Sequence, residues 1–349
     1  MALARQRVVD ACKDLAELAF RSFPFPTEPG LHRFGNPGRD APVYVTCNFD
    51  YTVRLVSGVL AAYDCYLLVA PTQGMNVWCA AAGGHFGADE VEAAIKLSGI
   101  ERLVDHRRLV LPRLATPGVN RREVRQRTGW RVVFGPIEIT DLPGWLDDKF
   151  PRLVPDRATF PLRRRVEMAV GAGLWPAGMF GLPTALVAGR RQGAAVAALA
   201  YLSSTVFGVA YPLLPLEPGF PQALPFGAVL AAAAMTIGPR GTINHRAVAW
   251  RAGLLAAMGV LIGLDFPSWS PTDACKQQLL CFLYPATLAP PGFLPRIDEQ
   301  TCTGCDICVK VCPKGALSLD EHRKAVLSDV EACMSCYACA QQCPVDAIF

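Results

Sequence analysis

Asn76-Val77-Trp78-Cys79-Ala80-Ala81-Ala82-Gly83-Gly84 reads as a short helix with both ends marked. Asn76 is a good N-cap residue, and Gly83 and Gly84 can take the left-handed conformation that ends a helix. Counted from that cap, Cys79 is the third helical residue. Its thiol then stands at the positive end of the helix dipole, which favours the thiolate. The rest of the segment is small and apolar apart from Trp78, so something flat can lie against it. A single cysteine is more often a small buried hydrophobe, and the remainder of the chain has to decide between the two.

On either side of this helix the chain alternates strand and helix. Strands are predicted at Val43–Cys47, Cys65–Ala70, Arg108–Leu111, Trp130–Phe134 and Ile137–Ile139, and helices at 51–62, Ala88–Ser98 and Val119–Thr128. That order predicts a Rossmann-like α/β domain over 42–160, an open sheet with ligands at the carboxyl ends of its strands. Thr46, Asn48, Thr72 and Gly74 fall at such ends, as does the Cys79 helix, although turn chemistry also places polar residues there. Residues 1–41 read as an amphipathic helix at about 5–21 and a Pro/Gly-rich linker. Nine arginines stand between Arg102 and Arg131. They have neither aromatic interleaving nor a nucleic-acid motif, so no nucleic-acid partner is expected, and a solvated face or one near anionic lipid fits them better.

The chain has 349 residues, of which only 18% are charged, and its mean hydropathy is +0.26. That is too apolar for an ordinary soluble chain, and the excess sits in residues 161–294. After Arg163-Arg164-Arg165, apolar runs occupy 166–189, 193–214, 220–238, 247–266 and 279–294. A spanning helix needs ~20 apolar residues. The last run is short and carries Pro285, Pro290 and Pro291, and the first contains Pro176 and Pro183. Five runs therefore predict an α-helical transmembrane domain without requiring five crossings. The polar N-terminal helix has no signal-peptide character, so no secretory signal is expected.

Of the 14 cysteines, eight lie in the tail, 295–349. Cys302-x-x-Cys305-x-x-Cys308-x-x-x-Cys312-Pro313 is repeated as Cys333-x-x-Cys336-x-x-Cys339-x-x-x-Cys343-Pro344. This duplication is the pattern of bacterial-type ferredoxins with two [4Fe–4S] clusters, in which the fourth Cys of each run crosses to the other cluster. One cluster is expected on Cys302, Cys305, Cys308 and Cys343, the other on Cys333, Cys336, Cys339 and Cys312. Zinc sites do not use this spacing with a following proline. The other six cysteines are scattered, which excludes a disulfide framework and implies a reducing compartment.

A thiol helix on an α/β domain, an apolar domain and a two-cluster ferredoxin together resemble the mercury-methylation proteins HgcA and HgcB joined in one chain. The resemblance covers nearly everything after about residue 42. The family's cap helix begins Asn-Val-Trp-Cys-Ala, which stands here as Asn76, Val77, Trp78, Cys79 and Ala80. Family-like residues also stand at Thr46, Asn48, Thr72 and Gly74, in Phe86-Gly87, His106-Arg107-Arg108-Leu109, Pro117-Gly118-Val119 and Gly135-Pro136, and in Ser203-Ser204-Thr205-Val206 and Leu264-Asp265-Phe266. The α/β domain is also similar to one in the corrinoid iron–sulfur protein of the acetyl-CoA pathway. There are departures: the family's Gly-Lys at the end of the cap helix is Ala82-Gly83 here, and its Thr-Lys-Gly is Thr72-Gln73-Gly74. Its ferredoxin carries further thiols after the second motif, and none stands between Pro344 and Phe349.

The resemblance implies a cobalamin-type corrinoid with Cys79 as lower axial ligand of cobalt, and corrinoid contacts among Thr46, Asn48, Thr72, Gly74, Asn76, Val77, Trp78 and Ala80. Arg107 and Arg108 are further candidates for its phosphate or amides. A soft, anionic thiolate compensates charge on Co(III) and eases departure of a methyl group toward a soft acceptor such as thiol-bound Hg(II). The clusters would return cobalt to Co(I). Implied partners are a methyl-donor methyltransferase or a methylfolate-type donor, a low-potential electron donor, an Hg(II)–thiol complex and the lipid bilayer. Cys47, Cys275 and Cys281 are the thiols expected to relay mercury. Both polar domains belong on the cytoplasmic side of the inner membrane, so an even number of crossings, four, is expected. Two other functions are consistent with the residues: a corrinoid methyl carrier with a different acceptor, and a membrane electron-transfer protein without corrinoid.

Overall fold

In the computed structural model the described residues are 24–147, 156–158, 161–210 and 294–349 without 331, together with 12–14, 16–17 and a few isolated positions. The chain divides into two compact units, one of Met1–Ser22 with Thr159–Leu280, the other of Phe23–Ala158 with Cys281–Phe349. The α/β and ferredoxin parts thus belong to one unit.

The α/β part is a five-stranded sheet. Its strands are β1 (Gly30–Phe34), β2 (Val43–Cys47), β3 (Cys65–Ala70), β4 (Arg108–Leu111) and β5 (Arg131–Phe134), in the order β1-β3-β2-β4-β5. β2 pairs in parallel with β3 from Val43↔Tyr66 to Cys47↔Ala70, and with β4 at Tyr44↔Val110. β4 pairs in parallel with β5 from Arg108↔Arg131 to Leu111↔Phe134. Every residue of β2 and β3 is buried, because helices cover both faces, as the parallel arrangement of β2 to β5 requires. Side chains alternate between the faces. Val43, Val45, Leu68, Leu109 and Val132 face the layer containing α2 (Val77–Ala82), α3 (Ala88–Ser98) and α4 (Arg121–Thr128). Tyr44, Leu67, Val69 and Val110 face α1 (Asp50–Leu60) and α5 (Leu142–Asp147).

Three sequence expectations change here. β1 lies inside the Pro/Gly-rich stretch read as a linker, and pairs antiparallel with β3 from Gly30↔Val69 to Phe34↔Cys65. Its alternation is weak because it is an edge strand, half-buried along most of its length. The strand expected at Ile137–Ile139 is a bend followed by a 3₁₀ turn over Ile139–Asp141. Its apolar pair is too short to decide between the two conformations. The helix expected from Val119 begins at Arg121, because the Asn120 side chain caps it by accepting from Arg122 N at 2.9 Å and Glu123 N at 3.2 Å.

In the other unit α6 (Leu162–Ala172), α7 (Leu174–Ala188) and α8 (Arg190–Ala210) are described. By length and composition Arg165–Val187 and Arg190–Ala210 are sufficient to cross a membrane. Small residues let α7 and α8 approach closely: a Cβ on Gly193 would lie 2.3 Å from the Ala185 Cβ, and one on Gly181 2.6 Å from that of Ala197. The runs at 220–238, 247–266 and 279–294, with Cys275 and Cys281, lie outside the described residues, as does most of the 5–21 helix.

The tail forms α9 (Ile307–Val311), a hairpin of β6 (Leu317–Leu319) and β7 (Ala325–Leu327), and α10 (Ala338–Gln341). Ile297 and Ile348 form an antiparallel bridge that brings the ends of the tail together.

Candidate functional site

Chain order places β3 on one side of β2 and β4 on the other. The order in which the chain adds strands therefore reverses between β2 and β4, and the carboxyl ends of these parallel strands open the crevice where ligands bind in such sheets. The Cys79 helix, α2, follows β3 directly and reaches this crevice.

Its geometry is set locally. Asn76 is extended, and its Oδ1 accepts from Cys79 N at 2.9 Å. At the other end His85 N donates to Ala80 O at 2.7 Å, and Gly84 has φ +75°. This is a Schellman ending with Gly84 as the left-handed residue. Gly83, expected to share that conformation, has φ −88°. Val77, Ala80 and Ala81 point into the core while Cys79 is exposed and Trp78 half-buried. The apolar face of Val77, Ala80 and Ala81 holds the helix down and the thiol stands outward.

The loop before the helix is held by one buried asparagine. Asn48 Oδ1 accepts from Thr72 N at 3.0 Å and from Gly74 N at 2.8 Å. Thr72 Oγ1 accepts from Asn48 N at 3.1 Å and lies 3.0 Å from Asn48 Oδ1 and 3.1 Å from Met75 O. Asn48 Nδ2 donates to Thr27 O at 3.1 Å, and Phe25 N to Gly74 O at 3.1 Å. Gly74 has φ +74°, and a Cβ there would lie 2.6 Å from Pro26 N, so only glycine fits. Thr46, Asn48, Thr72, Gly74, Val77 and Ala80 are thus all buried. Asn48, Thr72 and Gly74, singled out as ligand contacts, hold the loop that leads into the Cys79 helix. The supporting Phe25–Thr27 segment was missed because nothing in its composition marks a site.

The segment after β4 closes the other side. Gly118 packs against the end of α2 so tightly that a Cβ would lie 2.3 Å from Phe86 O and 2.7 Å from Ala81 O. The arginines are scattered rather than pooled. Arg107 lies over the Trp130 ring at 5.2 Å. Arg108 begins β4, at the amino ends of the strands. Both therefore stand at the end of the sheet away from Cys79, which favours a surface role over the contact with the same ligand for which they were candidates. Arg127 pairs with Asp89, Glu92 and Glu123. Arg113 is buried, donates from Nε to Gly135 O at 3.2 Å, and burial lowers its pKa while Asp156 opposes that. Cys47, expected near this face, is completely buried, and burial pushes its thiol up to about 11.

In the tail the thiols group across the two runs. Burial pushes Cys308 up to about 12, and its neighbouring thiols are Cys305, Cys302 and Cys343. Cys339 is raised well above the ordinary value by burial, and then by Cys336, Cys312 and Cys333, with a smaller effect of Cys308. The thiols that act on Cys308 and on Cys339 are mainly the partners expected from spacing, and among the described residues no three of them converge closely enough to hold a single metal ion. Backbone amides point at the sulfurs: Ala316 N lies 3.3 Å from Cys312 Sγ, Ala325 N 3.5 Å from Cys302 Sγ and Ala347 N 3.2 Å from Cys343 Sγ. Such donors favour the thiolate form that iron requires.

Residues 21–146 match the CO dehydrogenase/acetyl-CoA synthase delta subunit family. Residues 294–344 match the 4Fe-4S dicluster domain. Among curated proteins, the acetyl-CoA decarbonylase/synthase complex subunit gamma of Archaeoglobus fulgidus is 38% identical over 130 residues, 37% of this chain and 27% of that protein. The subunit gamma of Methanopyrus kandleri is 40% identical over 126 residues, 36% of this chain and 27% of that protein. Subunit gamma 2 of Methanosarcina mazei is 35% identical over 132 residues, 37% of this chain and 28% of that protein. The chain therefore spans only about a quarter of the length of these relatives. What is shared is the α/β domain that carries Cys79, joined here to a ferredoxin domain. The expected likeness to the acetyl-CoA-pathway domain is borne out, whereas nothing in these matches singles out mercury methylation.

Proposed function

We propose that this chain is a corrinoid-dependent methyltransferase with a built-in ferredoxin reductant, anchored in the cytoplasmic membrane and passing a methyl group to Hg(II). The observation that carries the corrinoid reading is Cys79: an exposed thiol on a capped helix at the crevice of a domain similar to acetyl-CoA-pathway subunits. A corrinoid fits these residues, because a soft thiolate donor suits cobalt and Ala82, Gly83 and Gly84 leave a low surface beside it. When bound, that group supplies a cobalt able to accept and release a methyl group. Asn76 holds the helix end that presents the thiol, and the Asn48–Thr72 pair fixes the approach of the loop. The eight tail cysteines would hold two [4Fe–4S] clusters, which would supply low-potential electrons.

Membrane anchoring is supported by the two apolar helices. The α/β and ferredoxin parts share one unit, which supports placing both on the cytoplasmic side with an even number of crossings between them. A methyl donor protein or methylfolate-type donor and an Hg(II)–thiol complex are the partners this reading requires.

Anaerobic reconstitution with cobalamin tests it. The parent chain should acquire a visible spectrum that changes in Cys79→Ala while iron content stays the same. A spectrum indifferent to Cys79 would sink the thiolate assignment. A second reading, a methyl carrier with a non-mercury acceptor, is favoured by one observation: Cys47, a proposed mercury relay, has no exposed surface. Methylmercury formed from Hg(II)–thiol complexes by the methylated protein decides between them.

A further inference from the structure

The ferredoxin domain touches the α/β domain through its two Cys-Pro corners. Near the first, Lys310 O accepts from Arg113 Nη1 at 3.3 Å, and Pro313 O from Ala158 N at 2.7 Å. At the second, the residues flanking Cys343 make the contacts. Arg122 Nη1 donates to Pro344 O at 2.6 Å, and Arg122 Nη2 lies 3.0 Å from Asp346 Oδ2. Gln342, only 3% exposed, donates from Nε2 to Thr116 O at 2.9 Å and to Val119 O at 2.7 Å. Two carbonyl acceptors require the two N–H groups of the amide, which fixes its orientation. Its Oε1 is left buried without a hydrogen-bond partner among the described residues.

The two carbonyls that Gln342 holds bracket Gly118, the residue whose backbone lies against Ala81 and Phe86 at the end of the Cys79 helix. A continuous connection therefore runs from Cys343 through Gln342 and the Thr116–Val119 backbone to α2. An isosteric apolar side chain would leave two buried carbonyls unmet, and a carboxylate would face them with like charge.

We propose that Gln342 is a positioning residue that locks the Cys343 corner against the segment backing the Cys79 helix. The cluster that Cys302, Cys305, Cys308 and Cys343 would hold is thereby fixed through its Cys343 corner and would exchange electrons with a metal held at Cys79. This rests on the corrinoid reading above. One electron leaves the reduced cluster, [4Fe–4S]⁺ becoming [4Fe–4S]²⁺, and cobalt falls by one oxidation state. An external low-potential one-electron donor of the ferredoxin class would refill the cluster.

The test uses the full chain purified anaerobically in detergent, as parent, Gln342→Leu and Gln342→Glu. Hydrogen–deuterium exchange is read at residues 114–120 and 340–346, with iron content as control. Both variants should keep their iron and exchange at least tenfold faster in these two stretches, the Glu variant fastest. After loading with cobalamin and reduction by Ti(III) citrate, loss of the cluster EPR signal to cobalt should slow at least tenfold in Gln342→Leu, with the cluster midpoint potential unchanged. Unchanged exchange with full iron overturns the locking role, and faster exchange with an unchanged electron rate overturns the electron route. If a Gln342 variant loses iron, Arg122→Ala cuts the contact on the other side of Cys343 and is read in the same way. Failure of the parent to bind cobalamin would end the functional reading, and with it the electron route, while the exchange measurement still decides whether Gln342 locks the domains.

Discussion

In the α/β domain one thiol, Cys79, stands exposed on a six-residue helix, whereas in the ferredoxin domain Cys308, Cys312, Cys333 and Cys339 are buried and form much of the core. The first is aimed by a scaffold that is complete without it: sheet, caps and the Asn48–Thr72 lattice all close on other atoms. The second has no comparable scaffold. Its buried thiols sit where a larger domain would place leucines, and small domains without enough apolar core rely on metals or cross-links. One region holds its site by packing around it, and the other builds much of its core from the thiols themselves.

Iron removal should expose that contrast most strongly. Chelation under reducing conditions is expected to unfold residues 296–349, seen as loss of exchange protection throughout β6, β7 and α10, while β2 to β5 stay protected. Equal loss in both regions would mean that the α/β domain leans on the clusters too. Next in size is Asn48→Ala. It leaves the buried amides of Thr72 and Gly74 without an acceptor, at ~1–3 kcal/mol for each. Chemical unfolding of the α/β domain should show a loss of about 3 kcal/mol, and the Cys79 helix should lose protection first.

The smallest effect separates Cys79 from Cys47. A maleimide reagent at pH 7 should label Cys79 and leave Cys47 untouched in the iron-loaded protein, read by peptide mass. Burial raises the folded Cys47 thiol to about 11 from an ordinary 9.0. Its contribution to stability is therefore full below pH 9.0 and is lost as pH rises toward about 11. Cys47→Ala should flatten that part of the pH–stability curve, and an unchanged curve would show that other groups govern it.

Much of this was legible in the chain. Alternating strand and helix signals placed β2 to β5 within a residue or two, because parallel strands buried on both faces must be continuous apolar runs. The tail was the clearest case: tripled Cys spacing with a following proline marked a two-cluster ferredoxin domain, and residues 294–344 match the 4Fe-4S dicluster domain. Less visible were elements whose identity depends on a neighbour. β1 is a strand because β3 offers it an edge, and Pro26 matters because Gly74 leaves no room for a Cβ beside it.

By itself the sequence determined that a capped helix presents Cys79 and that eight cysteines repeat one ligand spacing twice, because capping and ligand spacing are local properties of the backbone. Only the tertiary structure decided which residues are frame and which are surface. Asn48 and Thr72 turned inward to each other, Arg107 and Arg108 went to the far end of the sheet, and Cys47 was sealed in the core. It also decided that Gln342, an unremarkable polar residue in a motif of cysteines, joins the two domains. Burial and partnership depend on what the rest of the chain brings alongside, and no spacing along the chain encodes that.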